Sequence, residues 1–182
     1  MIKRIVLISV SMIVVLLLAS CSTIAFGAGY SLNSYEVSTD YSTYNVKRGN
    51  FSYTHTAVLF NVDEKDSGFH LYHSDYFGVF DEYYSINWFS SIGPAWVFKI
   101  DDRIGVLAGA GLSFGLSIPK PDFEHDNYLH IGLEALAEVR YKINGDYFIG
   151  LKGTFNFNTP NRQNSLEITK DICYGISLLY GW

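Results

Sequence analysis

From about residue 30 onward the apolar positions recur every second residue, the mark of strands whose two faces meet different surroundings, and no stretch sustains a helical period. The C-terminus shows this most plainly. Leu166, Ile168, Ile172, Tyr174, Ile176, Leu178, Tyr180 and Trp182 hold the even positions, broken only at Lys170, and mostly polar or small residues stand between them. Residues 127–143 run with the opposite parity, setting Leu129, Ile131, Leu133, Ala135, Ala137, Val139, Tyr141 and Ile143 against His130, Gly132, Glu134, Leu136, Glu138, Arg140 and Lys142. So many charges on one face of one long strand suit a barrel wall better than a sandwich. In residues 104–118, Gly105, Gly109, Gly111 and Gly115 share the face opposite Val106, Leu112 and Phe114, which relieves crowding inside a narrow barrel. Residues 86–100 and 147–158 continue the pattern, with Lys99, Lys152, Asn156 and Asn158 turned inward.

The connections alternate in length. Asp101-Asp102 and Asn144-Gly145-Asp146 read as tight hairpin turns, and 63–68 as a longer polar turn, whereas 79–85, 119–127 and 159–165 are longer links. Short turns at one end and long ones at the other are what bacterial outer-membrane barrels have. Counting back from a C-terminus on the periplasmic side, the strand at 51–62 runs downward and requires an upward strand before it, near 30–45. That predicts an all-β fold, an eight-stranded antiparallel up-and-down transmembrane β-barrel. The first strand is the weakest in pattern, since Ser and Thr fall on both parities between Tyr30 and Tyr44. Without it the fold would be a seven-stranded open sheet.

The N-terminus reads differently. Lys3 and Arg4 precede an apolar run from Ile5 to Ala19, and no charge follows until Glu36. This is the outline of a secretory signal, and it is shorter than the roughly 20 residues of a membrane-spanning helix. Leu18-Ala19-Ser20-Cys21 resembles the lipobox of bacterial lipoproteins, which makes Cys21 a candidate for lipidation; ordinary cleavage after Ala25 and an uncleaved anchor are the alternatives. The expected division is a signal peptide over 1–21, a linker over 22–29 and a barrel domain over 30–182.

Beyond Arg4 the chain holds 11 basic and 18 acidic residues, a net charge of about −7, which argues against nucleic acid as a partner. Cys21 and Cys173 are the two cysteines, so no disulfide framework or cysteine-rich metal site is available. The 14 Tyr, 13 Phe and 3 Trp fit a membrane interface, where one side of a ring meets apolar material and the other meets water. A soluble or lipid-tethered lipocalin-like barrel would use the same period. Glycine and serine on the charged face, with Tyr141, Tyr180 and Trp182 at strand ends of the apolar face, favour the membrane barrel.

The closing Tyr180-x-Trp182 resembles the C-terminal signal of outer-membrane proteins, with Ser177 where that signal usually has glycine. Over residues 30–182 the chain is similar to small outer-membrane barrels of the OmpA, OmpX and OmpW kind. The resemblance implies an outer-membrane location, lipid as surroundings and the barrel-assembly machinery as a partner in biogenesis, and it carries over no activity.

Some such barrels are enzymes acting on lipid A acyl chains, with His and Ser two residues apart on one strand face. Here His73 is followed directly by Ser74, His130 has Gly132 at that spacing, and His55 lies between Thr54 and Thr56. No local pair of nucleophile and base results, so no catalytic residue, cofactor or metal is expected. The acidic loop around His125, with Asp122, Glu124 and Asp126, reads as solvated. The sharper expectation is an interior ion network of Glu134, Glu138, Arg140, Lys142 and Lys152, serving either structural pairing or a pore gate. Two functions stay open: a structural or surface-interaction barrel that presents Phe80, Tyr83, Tyr84, Phe123 and Tyr128 in or beside its loops, and a narrow pore or small-solute carrier.

Overall fold

The computed structural model describes residues 21–38, 42–59, 68–79, 84–120, 128–159, 161–163 and 166–182. The strands are β1 Cys21–Ser38, β2 Thr43–Leu59, β3 Gly68–Val79, β4 Tyr84–Lys99, β5 Ile104–Pro119, β6 Tyr128–Asn144, β7 Tyr147–Asn158, the three-residue β8 Asn161–Gln163, and β9 Leu166–Gly181. Eight of them form the wall, each antiparallel to its neighbours, and β1 pairs with β9 to close it. The short β8 pairs only with the start of β9.

The ladders fix the shape of the barrel. Stepping between paired residues from Ala25 leads through Thr56, Ser74, Ser91, Ser113, Gly132, Asn158 and Asp171 and returns to β1 at Tyr35, ten residues along from the start. A stagger of ten over eight strands tilts them by about 40° and leaves an interior that side chains can fill.

Outside, every wall strand presents large apolar side chains to its surroundings. Phe51, Leu112 and Leu178 are 62%, 64% and 71% exposed, and Tyr30, Phe69, Trp96, Leu133 and Leu151 continue the band around the circumference. A closed apolar belt of this extent is stable against hydrocarbon and not against water. Aromatic rings gather toward the short-turn end: Tyr147 stacks on Tyr180 at 6.0 Å, and Phe26 lies 5.9 Å from Trp182.

The first strand departs from the sequence expectation. Residues 22–29, expected as a linker, belong to β1, and the turn between β1 and β2 falls inside the stretch expected as the first strand. The cause is the small size of the inward residues. Gly27 and Gly29 alternate with Phe26, Ala28 and Tyr30, and a Cβ at Gly29 would run into the Ile176 carbonyl of β9. Close approach at the seam therefore selects residues that look like a linker. The expected signal region up to Ser20, the expected turn at 63–67 and Phe80, Tyr83 and Phe123 lie outside the described residues, while Tyr84 and Tyr128 begin β4 and β6.

Two turns at the short end are tied locally. Gly145 takes φ of 54°, which links β6 to β7 in the fewest residues. At the β4–β5 turn the backbone N–H groups of Arg103 and Ile104 each donate to Asp101 Oδ1 at 2.7 Å, which holds the Asp101 carboxyl below its ordinary range. A lowered carboxyl pKa contributes stability above the unfolded value of about 3.9 that is lost as pH falls through the folded value. Asp101→Asn is therefore expected to be less stable than the parent at neutral pH, with the difference closing below about pH 4; denaturant midpoints measured from pH 7 to pH 2 check this.

Candidate functional site

The inner face carries the chemistry. Toward the short-turn end, Ala25, Phe148 and Leu179 form an apolar plug. Farther in, Val58, Tyr72, Ala95, Leu107 and Leu136 pack across the lumen.

Charged groups lie among these layers. Lys152 on β7, 2% exposed, donates from Nζ to Thr54 Oγ1 at 3.0 Å, Thr56 Oγ1 at 2.8 Å and Ser74 Oγ at 2.6 Å. Three hydroxyls from β2 and β3 thus take all three ammonium protons, and the chain crosses the barrel to reach them. Glu138, with no exposed surface, is the register partner of Lys152 and accepts from Arg140 Nη2 at 2.6 Å and Nε at 3.0 Å. Arg140 also lies 4.8 Å from the Phe148 ring centroid. Glu134 accepts from Ser91 Oγ. Two carboxylates and two cations therefore share this part of the lumen, which offsets charge where an unpaired ion is very costly.

Lys142 stands apart from this group. It is exposed on the rim, where β6 nears its turn at Gly145, and its backbone N–H donates to the Arg103 carbonyl at 2.7 Å. The parity of β6 turns it inward, but the strand has by then left the filled part of the lumen.

A second array lies toward the long-connection end. Ser117 Oγ is 2.7 Å from His130 Nε2, and His130 Nδ1 is 2.7 Å from Asp171 Oδ2, all three residues being buried. The Ser–His–Asp order matches that of a nucleophile, base and orienting carboxylate. Here it is walled in: Ser117 also donates to Asn87 Oδ1 at 2.9 Å, and the Phe89 ring covers the imidazole at 4.6 Å. Along its own strand His130 has Gly132, not a serine, two residues on. The barrel supplies it from β5, where the register partner of His130 is Gly115, two residues from Ser117. The i to i+2 rule has no means of finding such a pair.

His55 and His73 sit on the opposite, outward face of β2 and β3, with Asp75 between them. The remaining sequence candidates lie at strand ends. Tyr180 and Trp182 are half-exposed on the outer wall, where Trp182 exchanges backbone hydrogen bonds with Ile24 at 2.8 and 2.9 Å. Cys21 opens β1 opposite Leu59. Cys173 is a buried free thiol.

No family model and no curated protein matches the chain in sequence. Solved structures do resemble it. The outer-membrane protein OprG of Pseudomonas aeruginosa aligns over 90% of this chain and 97% of its own, with a TM-score of 0.53 at 9% identity. Neisserial surface protein A covers 86% and 97% with a TM-score of 0.48 at 16% identity, and the outer-membrane enzyme PagL covers 83% and 97% with 0.49 at 12%. The likeness is one of fold, that of the small outer-membrane barrels.

Removing one member of the buried charge group should be strongly destabilising. Glu138→Ala leaves the Arg140 guanidinium without its carboxylate partner, an expected loss of about 3–5 kcal/mol. Thermal unfolding in detergent, followed by far-ultraviolet circular dichroism, should show a clearly lowered midpoint; an unchanged midpoint contradicts the pairing.

Proposed function

We propose that the chain is an outer-membrane protein whose filled barrel is a rigid support, with its short turns in the periplasm and its long connections facing out. The observation that carries this reading is the lumen itself. An ammonium pinned by three hydroxyls, an Arg140–Glu138 pair joined by two hydrogen bonds to Glu138 Oε2 and an apolar plug leave little room for solute passage. The role is non-enzymatic and structural or surface-interacting, exerted through the connections at 80–83, 120–127 and 159–165.

On this reading residues 1–21 direct export. Lipidation of Cys21 would add acyl chains at the short-turn rim, because that residue opens β1 beside the end of β2. Tyr180 and Trp182 act as the signal for the barrel-assembly machinery, which docks the last strand as an edge.

A second reading, a narrow water-filled passage, draws on one further observation. Asn33 Oδ1, Asn87 Nδ2, Asn156 Oδ1, both amide atoms of Asn158 and Asp171 Oδ1 are buried without hydrogen-bond partners among the described residues. Such atoms are satisfied by water in folded proteins.

Planar-bilayer recording on the refolded barrel separates the two. A filled support gives no steady ohmic conductance, and Lys152→Ala, which opens the middle of the lumen, introduces one. A steady conductance from the unaltered protein would favour the passage.

A further inference from the structure

One part of the lipid-facing wall is not apolar. Adjacent strands turn His55 of β2, His73 and Asp75 of β3 and Ser90 of β4 outward at neighbouring register positions, His55 opposite Asp75 and Asp75 opposite Ser90. Aromatic rings edge this notch: Phe26 lies 5.1 Å from the His55 ring, and Phe77 stacks on Trp88 at 6.2 Å. A carboxylate in such surroundings is expensive unless a cation neutralises it.

The geometry points to a divalent metal site, and we propose that His55 Nδ1, His73 Nε2 and Asp75 Oδ2 bind zinc. The two imidazole nitrogens lie 3.5 and 3.6 Å from the same carboxylate oxygen, and all three atoms fall within 4.8 Å of one another. Tetrahedral zinc with ligand bonds of about 2.0–2.2 Å separates its ligands by roughly 3.4 Å, so two edges of the site already have the required length. Two nitrogens and one oxygen suit zinc and its late first-row neighbours and not calcium or magnesium.

The surrounding groups fit the same role. Trp88 Nε1 donates to Asp75 Oδ1 at 3.2 Å and so fixes the carboxylate that presents Oδ2. Ser90 Oγ lies 3.0 Å from His73 Nε2, the nitrogen offered to the metal. The side chains of His55, Asp75 and His73 are 8%, 17% and 25% exposed, so the site is shielded yet open on one side.

The location gives the ion a task. A metal held by His55 from one strand and by His73 and Asp75 from the other would staple β2 to β3.

The test is calorimetric titration of zinc chloride into the folded, full-length barrel in detergent. One zinc per chain is expected, weakened at least tenfold in His73→Ala and in Asp75→Asn. It should be unchanged in His125→Ala, which alters the histidine of the acidic loop, and zinc should raise the thermal midpoint of the parent protein. Absence of binding by the unaltered barrel overturns the proposal without reference to any variant. Binding that survives loss of His73 and Asp75 but disappears with His125 overturns it equally.

Discussion

In hydrocarbon a backbone N–H or C=O without a partner has no water to turn to, and the closing ladder between β1 and β9 is what removes the last unpaired edge. The rest of the structure follows from that closure. Eight strands joined with a ten-residue stagger make a narrow tube, so each inward side chain meets others across the lumen. Glycine at the β1–β9 seam lets the backbones approach, and serine and threonine keep the inner wall low. Into that space Lys152, Glu134, Glu138 and Arg140 fit with each charged group held by a partner: Arg140 on Glu138, Lys152 on Ser74, Glu134 on Ser91.

The same closure explains why part of the fold was legible in the sequence and part was not. Strands β5, β6, β7 and β9 show clean alternation because their outer faces meet lipid and their inner faces hold charge or glycine. β1 shows it poorly. Its inward residues Gly27, Gly29, Ser31 and Asn33 are small or polar in the manner of a linker, and the apolar run from Ile5 to Ala19 ends just before it, which hides its start. β2 and β3 blur for another reason: His55, His73 and Asp75 occupy outward positions where the pattern leads one to expect apolar residues.

The sites follow a similar division. Parity along one strand puts Glu134, Glu138 and Arg140 on one face, and the tight Gly145 turn brings Lys152 opposite Glu138. Parity alone does not tell how far the filled lumen extends, which is why Lys142 falls on the rim. Nor does it join residues from strands that are not read together. The Ser117–His130–Asp171 array draws on β5, β6 and β9, and the outer cluster on β2, β3 and β4. Both depend on the diagonal offsets that the stagger sets, and no local spacing encodes those.

The inner and outer faces thus carry polar chemistry for different reasons: inside, to fill a closed tube without an unpaired ion; outside, at a notch where His55 of β2 meets His73 and Asp75 of β3. The central claim is that the chain is a closed barrel in an outer membrane. Heat-modifiable migration tests it most directly, on protein extracted from the membrane fraction and run on a gel with and without boiling. The account predicts a folded form that resists detergent and shifts on boiling. Recovery in the soluble periplasmic fraction, with no shift, would contradict it.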